Sequence, residues 1–312
     1  MKAMILKAYG MEPAAAELPD PVPGANEVMV RVRATSINPI DWKQASGKFR
    51  PILTASFPFI PGYDLAGEVE ALGPGVTGFT KGQRVHTRLS GRSGGASATL
   101  VNAGLDVLCA MPEGMDFEQA AGLPLAGMTA LQGLRDVGGL PMTGASKRVL
   151  VVGASGGVGH FGVQLAKVMG AHVTGVCSER NAALVRRLGA DEIVDYTKPN
   201  PYAGVAPFDL VLDCVGSAPG DFLEKLVRGG VFASCVPGPA VFARQAINGL
   251  SSKKVLPVML KVNAADLAVL DGLFAKKQLE VVIDSRYPAE QLGEAWKRSA
   301  SGRSAGKIVV TW

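Results

Sequence analysis

Residues 149–163 read VLVVGASGGVGHFGV. An apolar, mostly β-branched run, Val149 to Val152, meets a glycine-rich turn and then the start of an apolar-periodic helix. That order marks the entry to a dinucleotide-binding βαβ unit. The glycines have separate tasks. Gly156 allows the backbone to approach a pyrophosphate, and Gly159 allows the helix to pack tightly on the strand. Backbone N–H groups at the helix start face the phosphates, which makes Ala154, Ser155, Gly156, Gly157 and Val158 candidate cofactor contacts. The turn departs from G-x-G-x-x-G at its first position, held by Ala154 with Gly153 just before it. A tight turn without a ligand is the alternative, and the flanking sequence weighs against it.

Downstream, the pattern predicts a helix over Gly157–Met169, a stop at Gly170 and a strand over His172–Val176. A site selective for NAD places an acidic residue at the end of that strand, about 20 residues past the glycines, to hold the ribose 2′-hydroxyl. Here the chain reads Cys177, Ser178, Glu179, Arg180, Asn181. Small polar residues with Arg180 beside them leave room for a 2′-phosphate and supply its charge partner, which favours NADP. If Glu179 rather than Ser178 faces the ribose, the preference reverses. Arg186 and Arg187 read as solvated helix charges.

The chain has 312 residues, 47% of them hydrophobic, and 39 glycines, enough for two domains with many βα turns. A net charge of +5 without a basic cluster argues against nucleic acid as a partner. No uncharged apolar stretch is long enough to span a membrane. The first predicted strand, Lys2–Ala8, starts at once, with no targeting segment visible. Cysteines 109, 177, 214 and 235 are far apart and fit a reduced, cytoplasmic protein.

Up to about residue 123 the chain shows period-2 alternation and dense turn signals; Glu27–Ala34, EVMVRVRA, reads as a half-buried antiparallel strand. Leu65–Leu72 and Gln83–Thr87 are further strands. Strands then alternate with helices: strands over Arg148–Val152, His172–Val176, Glu192–Asp195, Asp209–Cys214 and Val231–Cys235, helices over Asn181–Leu188 and Gly220–Leu226. This is an α/β pattern with a parallel sheet covered by helices. After about residue 256 come helix Ala264–Lys276, strand Glu280–Asp284, helix Pro288–Ser299 and strand Lys307–Thr311, a tail expected to return to the first domain.

Eight segments in order resemble the medium-chain dehydrogenase/reductase superfamily, in its zinc-free quinone oxidoreductase branch, which includes zeta-crystallin and the alkenal/enone reductases. They are SINPIDWK (36–43), PGYDLAGEVEALGPGV (61–76), GGASATLV (94–101), LAGMTALQGL (125–134), VVGASGGVGHFGVQLAK (151–167), LGADEIVDY (188–196), FDLVLDCVG (208–216) and GKIVV (306–310). The resemblance implies a GroES-like β-rich domain, residues 1–123 and 256–312, interrupted by a Rossmann doubly wound parallel sheet, residues 124–255. It also implies a homodimer. Zinc alcohol dehydrogenases carry Cys where this chain has Asn38, before Asp41, and His-Glu where it has Tyr63-Asp64. Neither Asn38 nor Tyr63 is a good zinc ligand, and no cysteine cluster exists for a structural zinc. His86 and His160 read as structural.

Without a Lewis acid, oxidising an alcohol is difficult. The expected chemistry is hydride transfer from NADPH to a hydrophobic small-molecule acceptor, a quinone or an α,β-unsaturated carbonyl. An enolate formed from an enone needs hydrogen-bond donors and then a proton. Asn38, Tyr63 and Lys43 are the candidates, with Asp41 or Asp64 orienting them; Asn38 as a turn residue, Tyr63 as packing and Asp64 as a cap are the alternatives. By resemblance, Thr129 approaches the nicotinamide, Cys214-Val215-Gly216 runs along the cofactor, Val236 and Pro237 face the carboxamide, Tyr196 lies over the adenosine and Lys307 reaches the phosphates. A nucleophilic Cys214 lacks a histidine partner, so a buried strand-end cysteine is the expectation. An enoyl-thioester reductase and an NADPH-binding protein with little turnover are the alternatives.

Overall fold

A computed structural model describes residues 1–50, 53–91 and 94–312. The chain divides into two units: residues 1–126, 262–277 and 281–312 form one, residues 127–261 and 278–280 the other.

In the first unit the strand Glu27–Ile37 pairs antiparallel with Asp64–Leu72, with Leu100–Gly104 and with the terminal strand Lys307–Thr311. Its alternation does what the sequence predicts: Val28, Val30, Val32 and Ala34 are buried. Between them Arg31 and Arg33 point outward, to ion pairs with Glu70 and Glu68 on the neighbouring strand. The strand runs on to Ile37 because Thr35 and Ser36 are also buried, under the C-terminal tail. Two apolar cores flank this sheet. One gathers Val28, Val30, Val32, Leu65, Val85 and Leu108, the other Leu6, Ile37, Phe59, Leu292, Trp296 and Val310. Each such aliphatic side chain contributes about 1.5–3 kcal/mol on burial.

The second unit is a six-stranded parallel sheet in the order Glu192–Asp195, His172–Cys177, Arg148–Val152, Phe208–Asp213, Leu226–Ser234, Lys254–Pro257. Chain order turns outward in opposite directions from Arg148–Val152, so the switch point lies between it and Phe208–Asp213. Ligands bind such sheets at the carboxyl ends of the strands at the switch point.

Several expected limits shift. Gly159–Val168 and Ala182–Arg187 begin and end a residue or two inside their predicted spans, and Ala264–Ala275 ends one residue early. The first strand ends at Ile5. Leu226–Ser234 starts five residues early, because Leu226 pairs with Phe208 across a register shift. Lys254–Pro257, in a segment without a sequence signature, is the sixth strand, which carries the second unit to residue 261. The predicted strand Glu280–Asp284 moves to Ile283–Pro288, beside Lys307–Thr311. Glu280 instead exchanges hydrogen bonds with the Gln164 side chain, so 278–280 join the second unit rather than the first.

Candidate active site

In the second unit the turn after Arg148–Val152 is held by backbone bonds: Gly153 and Ala154 N–H groups donate to Val176, and Gly156 N–H donates to Gly153. Gly153 has φ +75°, a conformation that favours glycine. A Cβ on Gly159 would sit 2.0 Å from the Gly153 carbonyl oxygen, so only glycine lets the helix start this close. Gly162 extends the same approach, since its Cβ would lie 2.9 Å from Leu212. This cradle fits a dinucleotide pyrophosphate. Ser155 is tied to the next strand end, where Asn181 Nδ2 donates to its Oγ at 2.9 Å. His160 is buried, with Nδ1 2.9 Å from the Gly156 carbonyl.

At the end of His172–Cys177, Cys177 is buried, Ser178 and Asn181 half-buried, Glu179 and Arg180 exposed. Lys198 Nζ lies 3.5 Å from Glu179, so a second cation stands beside the acid that could reverse the cofactor preference. The sequence reading passed over Lys198; its signal was a basic residue two positions past Tyr196, itself exposed. Asp213, fully buried, was also missed. Its carboxylate accepts from the N–H groups of Val215 and Ser217 and from Ser234 Oγ, fixing the loop Cys214-Val215-Gly216. Val215 and Val236 are exposed at the carboxyl end of the sheet, and Pro237 follows there. Thr129 is buried in the helix Pro124–Gln132.

In the first unit Asn38 precedes the helix Pro39–Ala45, whose Asp41 accepts the Asn38 backbone N–H at 2.7 Å. Asn38 Nδ2 donates to Asp64 at 2.9 Å, and Ser36 Oγ and Leu125 N–H also donate to that carboxylate. Lys307, expected at the cofactor phosphates, is buried here instead. Its ammonium donates to Asn38 Oδ1 at 2.6 Å and lies 3.8 Å from Asp64. The strand Lys307–Thr311 sits inside the sheet, and helix Phe117–Gly122 covers it, where a Cβ on Gly122 would stand 2.9 Å from Val281. Burial pushes the Asp64 carboxyl up against the opposing pull of Lys307, and burial lowers Lys307.

Tyr63 is fully buried; its hydroxyl donates to Gln44 at 2.7 Å, and the Arg88 guanidinium stacks 4.5 Å from its ring centre. Burial raises its phenol, which stays protonated. The five catalytic candidates therefore divide. Asn38, Asp41 and Asp64 are joined in one buried polar network, Tyr63 is buried with Gln44 as its hydrogen-bond partner, and Lys43 is half-buried, its ammonium 5.4 Å from the Trp42 ring centre. Burial and then the like charge of Lys48 lower Lys43.

Asp41 supplies a pH-dependent prediction. Burial pushes its carboxyl up to about 7, against about 3.9 in an unfolded chain. The native state thus binds the proton more tightly. The stability this gives is complete below the unfolded value and is lost as pH rises through about 7. Asp41→Asn keeps an oxygen for the Asn38 N–H. Urea unfolding is expected to find the variant increasingly favoured over the parent across that window, and a difference independent of pH would contradict the assignment.

His86 is structural: Nδ1 is 3.0 Å from the Ala120 carbonyl and Nε2 3.1 Å from Asp271. Among the described residues no helix is long and apolar enough to cross a membrane.

Known proteins share this arrangement. Residues 24–140 match the alcohol dehydrogenase GroES-like domain family, and residues 188–310 match the zinc-binding dehydrogenase family. The chain is 38% identical to the chloroplast envelope quinone oxidoreductase homolog of Arabidopsis thaliana, over 99% of this chain and 98% of that one. It is 31% identical to the NADPH-dependent alkenal/one oxidoreductase, chloroplastic, of the same plant, over 91% and 72%. Among solved structures, the quinone oxidoreductase from Coxiella burnetii superposes with a TM-score of 0.89 at 29% identity, covering 100% of this chain and 99% of that one.

The zinc named in one family description has no fitting donors at the matching positions. The Asn38 oxygen already accepts an ammonium at 2.6 Å, a charge that repels a divalent ion, and the Tyr63 hydroxyl is spent on Gln44. Among the described residues no group of three or more His, Cys, Asp or Glu side chains is placed to hold a metal. The α/β fold, the GroES-like unit, the glycine cradle and near-complete coverage by quinone oxidoreductases together place this chain in the medium-chain dehydrogenase/reductase superfamily, as an oxidoreductase of its quinone oxidoreductase branch.

Proposed function

We propose that this protein reduces a quinone, or the activated double bond of an α,β-unsaturated carbonyl, with NADPH and without zinc. The observation that carries the reading is Lys307. Its ammonium occupies the Asn38–Asp64 pair, where a metal-dependent dehydrogenase would place its cation. Bound NADPH would supply the hydride. The glycine turn and the loop fixed by Asp213 hold the dinucleotide. The buried network of Asn38, Asp41, Asp64 and Lys307, with Tyr63 bonded to Gln44, positions the helix Pro39–Ala45, which carries Lys43. Lowered by burial, Lys43 is the better acid and gives the α-carbon its proton.

NADPH oxidation with a panel of quinones and short enones tests this. Turnover with at least one class, unaffected by a chelator, is expected. Lys43→Met should depress enone turnover more than quinone turnover, because a hydroquinone takes its protons directly from water. NADPH binding without turnover on any acceptor would sink the enzyme reading, and turnover confined to enoyl thioesters would favour the thioester reductase.

The preference for NADPH rests on Arg180, with Lys198 balancing Glu179. A charged hydrogen bond to the 2′-phosphate is worth about 1.5–3 kcal/mol, roughly 10- to 100-fold in affinity. Arg180→Ala should weaken NADPH binding by that factor and leave NADH binding nearly unchanged; equal losses for both would remove Arg180 from the site. The proposal includes a homodimer, to be read by sedimentation, and a reducing compartment, the cytoplasm, in keeping with four free cysteines.

A further inference from the structure

Cys214 and Cys235 follow adjacent strands of the parallel sheet, Phe208–Asp213 and Leu226–Ser234. The ladder pairs Asp213 with Ser234, and the Cys235 N–H donates to the Asp213 carbonyl at 2.8 Å. The two cysteines are therefore the next pair in register. Residues paired across a ladder point to the same face, with Cα atoms roughly 5 Å apart, inside the window of about 4.4–6.8 Å that a disulfide spans. The Cys214 thiol donates to the Leu212 carbonyl at 3.9 Å. Both are half-buried, open to a small oxidant, whereas Cys109 and Cys177 are buried.

Their position is specific. The Cys214 Cβ lies 3.8 Å from where a Cβ on Gly153 would stand, so the pair sits beside the first glycine of the phosphate turn. Cys235 Sγ lies 3.8 Å from the corresponding point on Gly133, in the helix that covers the sheet. The residues after each cysteine, Val215-Gly216 and Val236-Pro237, lie in the carboxyl-end loops of these two strands, the first of them at the switch point. No step proposed above uses either thiol.

We propose that Cys214 and Cys235 are a redox-active dithiol that a peroxide closes to a disulfide, and that the bridged protein binds the dinucleotide more weakly. The thiolate of Cys235 attacks one oxygen of hydrogen peroxide, forming a sulfenic acid and releasing hydroxide, which takes up the thiol's proton as water. The Cys214 sulfur then displaces the sulfenic hydroxyl, which leaves as a second water with the Cys214 proton. Two thiols and one peroxide become one disulfide and two waters; sulfur loses two electrons and the peroxide gains them. The neighbouring Cys235 thiol and burial both push the Cys214 thiol well up, which fits it to be the second thiol to react. Closing the bridge draws the sulfurs to about 2.05 Å. That contraction pulls together the two loops at the strand ends and disturbs the Asp213 bonds that set one of them. The effect on binding rests on the dinucleotide reading given under the proposed function.

The test uses the full chain. Reduced protein is treated with hydrogen peroxide, capped with N-ethylmaleimide and weighed intact and after digestion. A species lighter by two hydrogens, a joined peptide containing residues 214 and 235, reversal by dithiothreitol and loss of the species in Cys214→Ser and Cys235→Ser are expected. Capping of both thiols after peroxide, with no joined peptide, would overturn the bridge. Fluorescence titration with NADPH should show about 10-fold weaker binding after oxidation, and Cys235→Ser should show no change on peroxide treatment. A bridged protein with unchanged affinity would overturn the regulatory part. Failure of the reduced protein to bind NADPH would overturn the cofactor reading and the effect on binding together, while the mass readout still decides the bridge.

Discussion

Gly159→Ala is expected to raise the dissociation constant for NADPH by at least about 100-fold. The added methyl would stand 2.0 Å from the Gly153 carbonyl oxygen, 2.8 Å from its carbon and 2.9 Å from the Ala154 Cα. These are backbone atoms of a turn pinned to Val176, so no side-chain rotation relieves the overlap. The helix start must move away from the strand end, and its N–H groups move with it. Isothermal titration with NADPH gives the affinity and a thermal scan gives the stability. Gly156→Ala serves as the contrast, because its Cβ would meet the Gly153 carbonyl oxygen at 3.3 Å, a contact a small shift relieves. If Gly159→Ala bound NADPH like the parent, the glycine cradle would not be the pyrophosphate site.

Lys307→Met is expected to cost about 3–5 kcal/mol of stability, because it removes one partner of a buried ion pair and leaves the other uncompensated. In a protein of this size that lowers the melting temperature by roughly 10 °C. The Asp64 carboxylate would keep its donors Asn38, Ser36 and Leu125 but lose the cation 3.8 Å away, and Asn38 Oδ1 would be left without a donor. Asp64→Asn in the same chain removes the stranded charge. The double variant should therefore lose less than the sum of the two single losses. Additive losses in urea unfolding would show that the pair is not coupled. The NADPH affinity of Lys307→Met, measured where it remains folded, bears on its role. A value within about threefold of the parent agrees with burial in the polar network, whereas a large loss would restore it as a phosphate ligand.

The central parallel strands were legible because they are buried on both faces and read as apolar runs separated by turn glycines, as in Arg148–Val152. The edge strand Glu192–Asp195 also falls where the pattern placed it. Lys254–Pro257 was not legible: four residues, with a lysine and a proline, carry too short a pattern, and only pairing with Val231–Ser234 makes them a strand. The edge strand Ile283–Pro288 was misplaced for a related reason, since the apolar residues Val281 and Val282 precede the paired segment instead of lying in it.

Side-chain roles divide in the same way. The sequence by itself determined the glycine turn, because turn, helix start and strand end are contiguous in the chain and their form depends on local backbone geometry. It also determined that no thiolate or imidazole stands at residues 38 and 63. The tertiary structure alone decided that Lys307 meets Asn38, 269 positions away. It likewise decided that Asp213 organises a loop, that Lys198 faces Glu179 and that Cys214 meets Cys235. Apart from the bonds Asp213 accepts from Val215 and Ser217 next to it, each of these is a contact between residues distant in the chain. Strand register and burial set such contacts.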